Sequence, residues 1–199
     1  MFCNQCEQTS KGVACTVTGV CGKKPEVASL QDVLLYAVKG LSSCLVEARK
    51  HDLVYPEMDR FCLDALFGTL TNVNFDPERF LAWTKTAVEF REKVKADLAA
   101  AGHPYQSANP ADQFEPAATV EGLTKQGEEL GLLTNGETDP DIQSLQQILL
   151  YGLKGIAAYA HHAAVLGQED AKVYAFAEEA LAALGSLKAD LNTWLSLVL

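Results

Sequence analysis

The stretches PEVASLQDVLLYAVKG (Pro25–Gly40) and PDIQSLQQILLYGLKG (Pro140–Gly155) agree at nine of sixteen positions at a constant offset of 115, with Val/Ile and Glu/Asp exchanges besides. Self-similarity at a fixed offset marks one structural unit used twice. In both copies the apolar residues recur at helical spacing. In the first they are Leu30, Val33, Leu34, Ala37, Val38, Leu41 and Leu45, with Pro25 or Ser29 as the start signal. Chance resemblance between two amphipathic helices would not reproduce the shared Ser, Gln, Lys and Gly, which packing alone does not dictate.

Working outward, a second stripe runs Met58, Phe61, Cys62, Ala65, Leu66, Leu70, Val73. A third opens with Asp76 as N-cap and Pro77 at the first helical position, carries Phe80, Trp83, Ala87, Phe90, Val94 and Leu98, and stops at Gly102. The offset of 115 also pairs Ala65-Leu66 with Ala180-Leu181, and a four-residue shortening pairs Trp83 with Trp194. The expected fold is therefore all-α, two tandem three-helix bundle units docked side by side and preceded by a cysteine-rich loop. The divisions are 1–24 for the loop, 25–102 for the first unit, 103–139 for a linker with room for a short helix, and 140–199 for the second unit. The linker begins GHPYQSANPADQFEPAATVEG (102–122), which has no period.

The third helix of the second unit reads as truncated. Eighteen residues follow Trp83 before Gly102, but five follow Trp194, and Leu187, Leu191, Trp194, Leu195 and Val198 keep an apolar stripe to the last turn. The expectation is a helix cut about thirteen residues short, with self-association through the C-terminal helix around Trp194.

With 199 residues, 48% of them hydrophobic, the chain can bury a real core. Its formal charge of -10 argues against nucleic acid and anionic membrane surfaces, which are bound through clustered Lys and Arg. There is no signal-peptide pattern and no apolar run long enough for a membrane helix, so the expected location is cytoplasmic. In that reducing compartment six cysteines read as metal or redox groups rather than disulfides.

Four of the six lie in the opening segment MFCNQCEQTSKGVACTVTGVCGKK, outside the repeat, at the spacing Cys-x2-Cys-x8-Cys-x5-Cys: Cys3, Cys6, Cys15 and Cys21. A CxxC pair suits one corner of a metal centre. Four-cysteine zinc sites usually use two such pairs, whereas an iron-sulfur cluster accepts irregular spacing. The residues alone leave three readings open: iron-sulfur cluster, zinc site holding a structural helical module that docks a partner, or free and oxidised thiols. Lys11, Lys23 and Lys24 face only Glu7 in this segment. They either balance the charge of about -2 of a four-thiolate 4Fe-4S group or are simply solvated.

Other candidates have structural readings. Cys44 and Cys62 lie on or beside apolar stripes and act as small core residues. His161 and His162, adjacent on a helix, point about 100° apart and make a poor ligand pair. His51 and His103 sit at helix ends, where a cation suits the dipole. Tyr36 and Tyr151 recur with the repeat and are read as bundle contacts. No phosphate loop, serine-nucleophile motif or HExxH zinc motif is present.

The start MFCNQCEQT…C…GVCGK, followed by SLQDVLLYAVKG, TLTNVNFD and LLYGLKGIAAYAHHAAVLG, closely resembles the N-terminal domain of the hybrid-cluster or prismane family, the hydroxylamine reductases. The resemblance covers essentially the whole chain. It implies that Cys3, Cys6, Cys15 and Cys21 ligate a 4Fe-4S cluster near the surface that relays electrons; relatives with wider spacing hold a 2Fe-2S cluster instead. It also implies a hybrid iron-sulfur-oxygen cluster in later domains outside this chain, where hydroxylamine is reduced to ammonia and water, and nitric oxide reduction has been proposed. The implied partners are those remaining domains and a redox donor protein. On its own the chain would have no catalytic residue and no turnover.

Overall fold

The computed structural model describes residues 1–107, 109–131, 139–186 and 190–199, and among them the fold is all-helical. Seven α-helices are described: α1 Pro25–Arg49, α2 Pro56–Gly68, α3 Pro77–Ala100, α4 Val120–Leu130, α5 Pro140–Val165, α6 Ala171–Gly185 and α7 Leu191–Val198. Short 3-10 turns occur at Ser10–Gly12 and Pro110–Gln113.

The repeat is visible in the helix starts. α1 and α5 both begin at a proline in the first helical position, and α2 and α6 begin at Pro56 and Ala171, again 115 positions apart. The shared serine does the same work in each copy, Ser29 and Ser144 donating back to the carbonyls of Pro25 and Pro140. α3 starts where its signals place it, with Glu78 N–H donating to the Asp76 carboxylate at 3.0 Å. Its end is marked by Gly102 at φ +85. α2 is shorter than its stripe: it stops at Gly68, and Leu70 and Val73 belong to the turn that follows.

α1 is the axis of the molecule. It is apolar nearly all round, and Leu30, Val33, Leu34, Ala37, Val38, Leu41 and Cys44 are almost inaccessible, as expected of a helix enclosed by others. α3, α4 and α6 cover it, together with the turn at Pro110–Gln113, while α5 packs chiefly on α2. The two copies therefore interleave rather than dock side by side: α6 lies on α1, and α5 lies on α2.

A largely buried polar cluster and a half-buried one pin these contacts. Arg49 of α1 meets Glu178 of α6 at 2.6 Å and Asp59 of α2 at 3.3 Å. Burial first, and then the hydrogen bond to Asp59, push the Glu178 carboxyl well above the usual carboxylate range, while Arg49 pulls it back. His161 of α5 pairs with Asp64 of α2 at 2.7 Å and lies against Phe67. His51 stacks on His103 at 3.7 Å between ring centroids.

The segment read as a linker is built into the fold. Arg91, fully buried in α3, donates to the carbonyls of Ala111 and Phe114. Buried Asp112 accepts from Tyr105, Ser107 and the Asn109 N–H. The turn at Pro110–Gln113 lies so close to α1 that a Cβ on Gly40 would meet the Ala111 carbonyl oxygen at 2.2 Å. The short helix for which 103–139 has room is α4, capped by Thr119, and Gly127 lets it press against the Ser29 carbonyl.

The C-terminal expectation needs correcting at Trp194. Its side chain is 1% exposed and packs into the core, so it cannot lead an association surface. The apolar residues that α7 exposes are Leu191 and Leu195, and Leu187 lies outside the described residues. No helix among the described residues is long and apolar enough to cross a membrane.

Candidate metal centre

The opening segment is a loop folded back on itself. Cys3 and Cys15 exchange backbone hydrogen bonds of 3.1 and 2.8 Å, forming one isolated antiparallel bridge. Cys6 accepts from the Thr9 hydroxyl and N–H through its carbonyl. Gly19 and Gly22 close the turn around Cys21, and Gly22 has φ +87, a conformation that glycine adopts without strain. All six cysteines are free thiols, with Cys3, Cys6 and Cys21 half-buried and Cys15 buried. As they stand, no three His, Cys, Asp or Glu side chains among the described residues converge closely enough to hold a single metal ion.

Cys15 and the two helix cysteines have opposite surroundings. Backbone N–H groups of Val20 and Ser10 aim at the Cys15 sulfur, the latter at 3.4 Å, and hold its pKa below the ordinary thiol value. Such donors favour a thiolate. Burial pushes Cys44 up to about 12 and Cys62 well above the ordinary value. Those two remain thiols, in keeping with a core role; Ser42 donates to Cys62.

What holds the loop on the helices is the pair between the first two cysteines. In CNQC, Asn4 donates to Gln147 at 3.0 Å and accepts from the Tyr151 hydroxyl, both on α5. Gln5 donates to the Thr69 carbonyl and accepts from Lys154 at 2.8 Å. Tyr151 thus anchors the loop as well as packing against the core, whereas its repeat partner Tyr36 meets Phe114 edge-on. Every segment that carried the family resemblance meets here: the loop, α1, the turn after α2, and α5.

Beneath the loop lie three buried lysines, of which the sequence pointed only to Lys23. Lys23 is buried, with Nζ 2.5 Å from Gln31 Oε1 and 3.9 Å from Cys3 Sγ. Lys11 and Lys24 are exposed, so of the three loop lysines only Lys23 is part of the site. Lys39 and Lys154, the same position in the two copies, are 1% and 3% exposed. Phe2, Cys3, Lys23, Asp32, Tyr151 and Lys154 line a small cavity. Burial and then the charge of Lys23 push Lys154 down to about 7, against Asp32 and the Cys3 sulfur; Lys39 adds to the lowering. Burial likewise lowers Lys39 to about 8 and raises Asp32 to about 6. The only available signal was the lysine kept in both repeats on an otherwise apolar helix. The outer rim of the loop is apolar, with Phe2, Val13, Val17 and Val20 exposed.

All 199 residues match the family described as the Prismane/CO dehydrogenase family. Among curated proteins, the chain is 56% identical over 199 residues to a hydroxylamine reductase of Syntrophobacter fumaroxidans, covering all of this chain and 37% of that protein. It is 50% identical to one from Methanocella arvoryzae, again covering all of this chain and 37% of the relative. The corresponding figure is 46% for one from Geobacter metallireducens, with 92% of this chain and 34% of the relative covered. The chain thus spans little more than a third of the length of these relatives. By the match along its whole length, the chain belongs to the Prismane/CO dehydrogenase family.

Proposed function

We propose that the chain is the electron-relay part of a hydroxylamine reductase, holding a 4Fe-4S cluster on Cys3, Cys6, Cys15 and Cys21. The observation that carries this reading is the opening loop: four free thiols lie in it, N–H donors aim at Cys15, and Asn4 and Gln5 fasten it over buried lysines. This donor chemistry fits a polythiolate anion. A bound cluster of this kind supplies a store for one electron. The chain's own residues position it: Tyr151, Gln147 and Lys154 fix the CxxC turn, the Cys3–Cys15 bridge fixes the third ligand, and Lys23 offers a cation to Cys3. The apolar rim leaves the loop open to contact with a redox donor protein.

The whole enzyme would add two electrons and two protons to hydroxylamine, giving ammonia and water, and would also act on nitric oxide. That chemistry belongs to a hybrid iron-sulfur-oxygen cluster in domains beyond this chain, in a cytoplasmic protein. A reductive titration of the anaerobically purified chain tests the assignment. It should take up about one electron per chain, and the reduced protein should release no ammonia from hydroxylamine above a free-iron control. Uptake of no electron, or steady ammonia production, would contradict it.

A further inference from the structure

The buried lysines do not have the surroundings of structural lysines. Lys23, Lys39 and Lys154 are 2%, 1% and 3% exposed, and none makes an ion pair within the described residues. Among the described residues the one carboxylate beside them is Asp32, half-buried. Three cations and one carboxylate therefore share a poorly hydrated region directly under the cysteine loop. An isolated buried charge is costly unless it is paired. Here each ammonium also repels the others, since Lys154 is disfavoured by both Lys23 and Lys39. The polar partners given to them are amides: Gln31 for Lys23 and Gln5 for Lys154. Gln5 lies between two cysteines, so Lys154 reaches the loop at its CxxC turn.

Such an arrangement lacks an anion, and the side on which it lacks one is the loop. We propose that Lys154, with Lys23 beside it and Lys39 behind, forms a cationic floor that sets the reduction potential of the group held by the four cysteines. This rests on the cluster assignment above. Reduction of a four-thiolate 4Fe-4S group adds one electron and takes its charge from about -2 to about -3; no bond is made or broken and no proton moves. A positive charge beneath it stabilises the more negative form, and does so strongly where water is excluded. Duplication of the helix explains how two such charges arose: the lysine of the first copy lies in α1, that of the second in α5, and the fold brings both to one place. They are positioning residues, acting through the field and not by ligation.

The test is a spectroscopically monitored redox titration of the iron-loaded protein with dithionite as reductant. Lys154→Met keeps length and removes charge. It should lower the midpoint potential by at least the equivalent of a tenfold change in the reduction equilibrium, about 59 mV for one electron, while retaining its iron. Lys154→Arg should restore the potential, and Lys39→Met should shift it in the same direction by less. Lys50→Met, which removes an exposed lysine paired with Glu47 at the far end of α1, should leave it unmoved. Should Lys154→Met fold poorly, Lys154→Gln makes the same comparison. An unchanged potential in iron-replete variants would overturn the proposal and leave the cluster assignment standing. Loss of iron from Lys154→Met, Lys154→Gln and Lys39→Met alike would also overturn it, since the lysines would then be structural. A wild-type protein that binds no iron would overturn both readings together.

Discussion

Cys15 and Cys62 are the same residue type with opposite surroundings, and the difference decides what each can do. Two backbone N–H groups favour the Cys15 thiolate, whereas burial beside Glu178 and Asp59 keeps Cys62 protonated. Replacing Cys3, Cys6, Cys15 or Cys21 by Ser should therefore abolish or convert the cluster. Cys44→Ser and Cys62→Ser should keep it and cost only packing. Iron and sulfide assays on the six variants check this, and cluster loss on changing Cys62 alone would refute the division. Tyr151→Phe removes one hydrogen bond to the loop, worth about 1 kcal/mol. Faster hydrogen exchange at residues 3–6, with α5 unchanged, is the expected result. The spacing marks the four loop cysteines as a candidate set, and the buried places of Cys44 and Cys62 were legible from their stripes. Lys39 and Lys154 were not, because a helical pattern assigns charged residues to the surface and the reason for burying them lies in a distant segment.

At the scale of elements, the repeat shows how one sequence unit acquires two roles. Gly40 and Gly155 are equivalent, yet a Cβ on Gly40 would meet the Ala111 carbonyl oxygen at 2.2 Å, while one on Gly155 meets nothing within 4 Å. Gly40→Ala should therefore destabilise by about 2 kcal/mol or more through displacement of the 110–113 turn. Gly155→Ala should stabilise by about 0.5–1 kcal/mol through helix propensity. Chemical denaturation of the two variants gives the signs. The starts of α1, α3 and α5 were readable because a proline or a cap marks each. α4 was harder to see, since Gly122 and Gly127 look like breakers. Gly127 is there because α4 presses against the α1 backbone, a contact that no local pattern announces. The interleaving of the copies was hidden for the same reason: amphipathic stripes say which face is buried, not against which helix.

At the scale of the whole molecule, α1, α2 and α6 are tied at one buried point by Arg49, Asp59 and Glu178, and this should give stability a distinctive pH dependence. The folded-state pKa of Glu178 is raised to about 8, above the unfolded value of about 4.3. The folded chain therefore holds a proton that the unfolded chain has lost. The contribution is fully present below the unfolded value and is lost as pH rises toward 8, with a slope of up to about 1.4 kcal/mol per pH unit. Glu178→Gln should flatten that slope between pH 5 and 8 in denaturation series; an unchanged slope would show that Glu178 titrates normally. In the proposed reading the helical frame presents one cluster loop on a charged floor, and the most direct measurement of that claim is the metal content and colour of the anaerobically purified chain. About four irons and four sulfides per chain, with a brown absorption that bleaches on reduction, is the predicted result. A colourless protein with one zinc and no iron would contradict it.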